Sequence, residues 1–114
     1  MNLLARIFGG KPADPDDWVE AADLAALLKS KTPPVIVDVR GPGEFSGPVG
    51  HIASARNIPL NQFPNHIAKL VAEPRALVLV CHSDRRSAAA AKMLRRAGRT
   101  KVAVLRGGMM GWRT

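Results

Sequence analysis

The chain has 114 residues, of which 46% are hydrophobic, with 9 prolines and 10 glycines among them. That is the size and make-up of one soluble domain able to bury a core, and no apolar run reaches the roughly 18–20 residues of a membrane-spanning helix. Its single cysteine excludes an internal disulfide, and a formal charge of +8 suits anionic ligands or partners.

Met1 to Gly10 is mildly amphipathic, but Arg6 interrupts its apolar residues and no small-residue cleavage site follows, which makes a poor signal peptide. Together with the proline-rich stretch Lys11 to Asp17, it reads as a flexible lead-in over residues 1–17. Residues 18–114 read as a single domain. A free thiol favours a reducing compartment, so the cytoplasm is the expected location.

Trp18-Val19 reads as a short edge strand or an anchor for the helix that follows. Glu20 to Ser30 has helical spacing, with Ala21, Leu24, Ala25, Leu27 and Leu28 on one side and Lys29 and Lys31 at the end where cations suit the dipole. Thr32-Pro33-Pro34 breaks it. Val35 to Val39 is β-branched and continuous, which predicts a strand buried on both faces.

Arg40 to Gly43 leaves that strand as a loop, Glu44-Phe45 starts a helical turn, and Ser46 to Gly50 ends it. His51 to Pro59 reads as a connector with a short strand near Ala55–Asn57. Asn61 is the expected N-cap of a helix over 62–71, with Phe63, Ile67, Leu70 and Val71 on its apolar face. Leu77 to Val80 is the most apolar strand. A helix over 86–97 follows, ended by Gly98. Val102 to Leu105 is the last strand, and Arg106 to Trp112 is a glycine-rich turn into a short terminal helix or tail. Strands alternating with helices predict an α/β fold with a mostly parallel sheet.

Such sheets bind ligands outside the carboxyl ends of their strands. Cys81 follows Val80 there, and Ser87 opens an alanine-rich helix, so the thiol faces the N–H groups of a loop and of a helix N-terminus. Those groups attract anions, and with adjacent arginines they turn a thiol into a reactive thiolate. The plainer role for a lone cysteine is a small buried hydrophobe. Its place between strand and helix start, just before Arg85 and Arg86, favours the nucleophile.

Arg86 suits either an anchoring role or contact with an oxyanion, Arg85 less so, and Ser83 and Ser87 suit loop hydrogen bonds or an N-cap. His82 offers a proton or a hydrogen bond, against plain exposure. Asp38, Arg40 and Glu44 fit a structural ion-pair network at a strand end better than acid–base chemistry, and His51 and His66 fit structural roles. One cysteine and three scattered histidines give no metal-ligand spacing. Residues 58–114 carry 11 Lys/Arg against 2 Asp/Glu, whereas residues 1–57 carry 6 against 7. No aromatics are interleaved with that basic half, which disfavours nucleic acid.

Taken in order, Asp38-Val39-Arg40, Glu44-Phe45, Gly50-His51-Ile52, Ala55, Asn57-Ile58-Pro59-Leu60, Cys81 to Ser87, Ala89, Leu94, Gly98, Val104-Leu105, Gly107-Gly108 and Trp112 resemble the rhodanese (sulfurtransferase) family from about Trp18 to Trp112. The resemblance implies a five-stranded, mostly parallel sheet flanked by helices on both faces. It also implies a cysteine that takes the outer sulfur of thiosulfate or another persulfide and passes it to cyanide, a thiol or a protein thiol. It implies no metal and no organic cofactor.

The loop from Cys81 to Arg86 has four intervening residues. Related folds with five resemble cell-cycle phosphatases and arsenate reductases, so phosphatase-like chemistry ranks below sulfur transfer. A persulfide carrier or protein-interaction module with little thiosulfate activity is the other alternative. Asp84 stands where many family members have glycine. It tolerates a left-handed backbone, but its charge is expected to oppose the thiolate.

Overall fold

The computed structural model describes residues 17–112. The expected lead-in therefore lies outside the described residues except for Asp17, as do Arg113 and Thr114. Five strands form one sheet: β1 (Trp18–Val19), β2 (Val35–Asp38), β3 (Arg56–Asn57), β4 (Leu77–Val80) and β5 (Val102–Leu105), in the order β1-β5-β4-β2-β3. Every pairing is parallel. All five carboxyl ends therefore lie along one edge, which places the ends of β2 and β4 side by side, Asp38 opposite Val80.

The three central strands β2, β4 and β5 are buried at every position, because both sheet faces are covered. The period-2 alternation of a strand divides their side chains between two cores. Ile36, Val78, Val80, Ala103 and Leu105 meet Leu24 and Leu27 of α1 (Ala21–Leu28) together with Ile52 and Met109. Val37, Leu79, Cys81 and Val104 meet Phe63, Leu70, Ala90, Ala91 and Leu94 on the other face. That second cover consists of the 3-10 segment Leu60–His66, α3 (Ile67–Ala72) and α4 (Arg85–Arg96), while α2 is the single turn Pro42–Phe45. Cys81 thus continues the face of β4 that packs beneath α4.

Two departures from the sequence reading have local causes. The helix expected over 62–71 is a 3-10 segment, Leu60–His66, followed by α3. Pro64 lies inside the 3-10 segment. It has no N–H to donate, and its ring disfavours α-helical geometry in the turn before it. The boundary residue of that segment is Pro59, with no side-chain cap, so Asn61 is not an N-cap. Arg99 is 7% exposed. Its guanidinium donates to the carbonyls of Glu73, Arg75 and Lys101, tying the end of α3 to the starts of β4 and β5. Burial pushes its pKa down, and the ring of carbonyls is what keeps a guanidinium there.

Candidate active site

β4 runs straight into Cys81, which is 1% exposed. Its Sγ lies 3.2 Å from Ser87 Oγ, and that hydroxyl also donates to the Asp84 carbonyl at 3.1 Å. In the thiol state the S–H is free to donate to Ser87. In the thiolate state the sulfur only accepts, and the Ser87 hydroxyl is the group that turns to it. The loop reaches α4 within three residues, at Arg85. Among the described residues no acceptor engages the amide N–H groups of His82, Ser83, Asp84, Arg85 or Arg86. Those open donors, with the positive end of a 12-residue helix, make the loop a cradle for negative charge.

A second backbone segment holds the loop from outside. The 3-10 turn Gly108–Gly111 donates its Met109 N–H to the Cys81 carbonyl at 2.9 Å and its Met110 N–H to the His82 carbonyl at 3.0 Å. Gly108 has φ +53°, and a Cβ there would lie 2.4 Å from the carbonyl oxygens of both Cys81 and Ser83. Only glycine fits so close an approach. The Gly107 N–H donates to Asp84 Oδ1 at 2.7 Å. Asp84 is thus the fastener between the cysteine loop and this turn, and one of its carboxylate oxygens is spent on that bond. The left-handed backbone considered for it is absent as well: φ is −135°, and no non-glycine residue described has positive φ.

Arg86 does not stand free over the loop. It forms a two-pronged pair with Glu44, NH1 to Oε1 at 2.6 Å and NH2 to Oε2 at 2.9 Å, and thereby joins α4 to α2. The Arg86 hydrogen bonds, helped by the Gly41 N–H, hold the Glu44 pKa at about 2 despite the opposing effect of burial. The same pairing raises the Arg86 pKa.

Beside it, Arg40 and Asp38 form a fully buried pair at 2.8 Å, and Arg40 donates further to the carbonyls of Gly50 and Glu44. Asn57 Nδ2 adds bonds to the carbonyls of Asp38 and Arg40. Asp38, Arg40, Glu44 and Arg86 therefore make one framework that secures the segment from β2 to α2 beside the cysteine loop.

The remaining candidates are more exposed. His82, Ser83 and Arg85 face solvent, and Arg85 has no ion pair or hydrogen bond among the described residues. His51 stacks on Phe45 with ring centroids 3.7 Å apart and bonds its carbonyl through Nδ1, a structural contact. No group of histidine, cysteine and acidic side chains among the described residues is placed to hold a metal ion. A pocket of about 680 Å³ opens on the α1 face between Pro33, Val49, Ile52, Met109 and Trp112. Residues 81–87 are not among those that line it.

The clamp from residues 107–110 escaped the sequence reading. Its bonds are made by backbone amides, and the sequence shows this stretch only as a glycine-rich turn. Asn57 had been read only as part of a strand and of the family pattern.

Comparison with known proteins agrees with this architecture. The model of the rhodanese-like domain matches residues 20–114, so the chain belongs to the rhodanese-like family. It is 40% identical over 77 residues to the uncharacterized protein YqhL of Bacillus subtilis, covering 68% of this chain and 59% of that protein. The chain thus spans less than two thirds of that relative's length. A sulfurtransferase of Allochromatium vinosum is 29% identical over 94 residues, covering 82% of this chain and 85% of its own. Among solved structures, a rhodanese-like domain protein from Staphylococcus aureus superposes with a TM-score of 0.75 at 27% identity, over 84% of this chain and 90% of that one.

Proposed function

We propose that the protein moves a sulfane sulfur from a small anionic donor, thiosulfate or another persulfide, to cyanide, a thiol or a protein thiol by way of a persulfide on Cys81. One observation carries this reading: the only cysteine in the chain sits at the carboxyl end of a central strand, inside a short loop whose amide donors are unspent. Cys81 thiolate attacks the outer sulfur of the donor. A new S–S bond forms on Sγ, the donor's own S–S bond breaks, and sulfite leaves thiosulfate with the electron pair. An acceptor thiolate or cyanide then attacks the same outer sulfur, and the pair returns to Cys81 as thiolate.

Negative charge stays on or next to Sγ throughout, so preorganised loop N–H groups stabilise each state without rearrangement. Arg86 serves here as an anchor, since Glu44 occupies both prongs of its guanidinium. Contact with the donor's oxygens falls instead to Arg85 and His82 at the mouth. No metal or organic cofactor enters the scheme, and a reducing compartment such as the cytoplasm suits its free thiol.

The test is steady-state transfer from thiosulfate and from an organic persulfide, to cyanide and to dithiothreitol, with Cys81→Ser alongside. Turnover with at least one donor that disappears in Cys81→Ser is expected. Equal rates in the two proteins would sink the reading. Hydrolysis of an aryl phosphate with no sulfur transfer would revive the phosphatase-like alternative.

A further inference from the structure

Helix α4 carries five cations, and they fall into two sets. Arg86 is held by Glu44. Arg95 donates to the Val102 carbonyl at 3.0 Å and lies 3.8 Å from Asp17. Arg85, Lys92 and Arg96 are exposed and have no ion pair or hydrogen bond among the described residues. Steps of seven and eleven residues bring these three to within about 20° of one line along the helix, which extends roughly 16 Å from the mouth of the cysteine loop. Half-buried Ala88 and Ala89 leave that line low and unobstructed. No acidic residue follows Asp84 anywhere in the chain.

Solubility accounts for Lys92 and Arg96 but poorly for Arg85. The first turn of α4 holds no acidic residue, although cations there oppose the helix dipole. Glu44 pairs with Arg86, whereas Arg85 has no ion pair among the described residues and only its chain neighbour Asp84, one oxygen of which is held by the Gly107 N–H, to set against it. A locally unfavourable charge kept unpaired beside a reactive group suits an anionic ligand. Met110, 62% exposed, shares the mouth, because its N–H holds the His82 carbonyl. Cys81 itself is 1% exposed, so an acceptor must bring its thiol in on a projecting segment.

Building on the sulfur-transfer reading, we propose that the Arg85–Lys92–Arg96 line docks an acidic protein segment whose cysteine takes the sulfur from Cys81. The segment's thiolate attacks the outer sulfur, its new S–S bond replaces the one to Sγ, and Cys81 leaves as thiolate. Acidic side chains about 10–16 Å from that thiol meet Lys92 and Arg96. Nucleic acid fits this surface poorly. Trp18 lies under Arg106, Phe45 is stacked on His51 and Phe63 is buried, so these rings offer no platform for bases.

The experiment compares kcat/KM for sulfur transfer to three acceptors: a glutamate-rich peptide with one cysteine, its glutamine counterpart, and dithiothreitol. The glutamate peptide should outpace the glutamine peptide by about tenfold at low ionic strength, the scale of electrostatic steering. That ratio should fall to about one in roughly 0.5 M salt. It should fall likewise in Lys92→Glu/Arg96→Glu, with the dithiothreitol rate unchanged. A ratio near one in the unaltered protein, or one that survives the charge reversal, overturns the docking proposal alone. Failure to transfer sulfur even to dithiothreitol overturns both it and the sulfur-transfer reading. Tight binding of a short deoxythymidine oligonucleotide that persists in high salt also overturns it, in favour of nucleic acid.

Discussion

The chemistry proposed for Cys81 turns on one neighbour at hydrogen-bond distance, Ser87, whose hydroxyl has two places to donate: the Asp84 carbonyl and the sulfur. A hydrogen bond to a charged group is worth about 1.5–3 kcal/mol. Ser87→Ala should therefore slow persulfide formation by about tenfold or more in single-turnover kinetics while leaving the fold intact; an unchanged rate would remove Ser87 from the mechanism.

Glu44 makes a prediction about acid. Its pKa is lowered from 4.5 to about 2, so the stabilisation from the Glu44–Arg86 pair is complete above about 4.5 and is lost as pH falls toward 2. Both side chains are more than a third exposed, so solvent screening limits the effect to about 1 kcal/mol. Urea midpoints measured across that range should fall less steeply in Glu44→Gln than in the unaltered protein.

At the scale of elements, the stretch from β4 through Cys81 to α4 was legible because three signals coincide. A continuous apolar run marks a doubly covered strand, polar residues mark its end, and an alanine-rich segment marks the helix. The helix expected over 62–71 gives way to a 3-10 segment where Pro64 interrupts an otherwise helical apolar pattern, although Phe63 still reaches the core. The buried Arg99 leaves no mark in the sequence, which does not show where backbone carbonyls converge. Asp84 was read by its charge, whereas its bond to Gly107, 23 residues away, decides its role. The Gly107–Gly111 turn makes the element-scale prediction. Gly108→Ala forces a methyl group into the Cys81 and Ser83 carbonyls, an overpacking cost of about 1–3 kcal/mol. Thermal stability and sulfur transfer should fall together in it, whereas alanine at Gly43, where nothing lies within 4 Å, should leave transfer intact.

Across the whole molecule, parallel pairing gathers the ends of β2 and β4 at one edge, and the 3-10 turn after β5 closes over them. All of the chain's excess positive charge lies in the half that carries the cysteine loop. The α/β order and the family pattern were readable from motifs spread along the chain, because strand ends and tight turns demand particular residues. The unpaired line on α4 was not, since sequence does not tell which cations find partners. The most direct test of the central claim is the intact mass of the protein after brief exposure to thiosulfate or an organic persulfide. One added sulfur atom, removed by dithiothreitol or cyanide and absent in Cys81→Ser, is the predicted result; no adduct with either donor, or the same adduct on the serine variant, would contradict it.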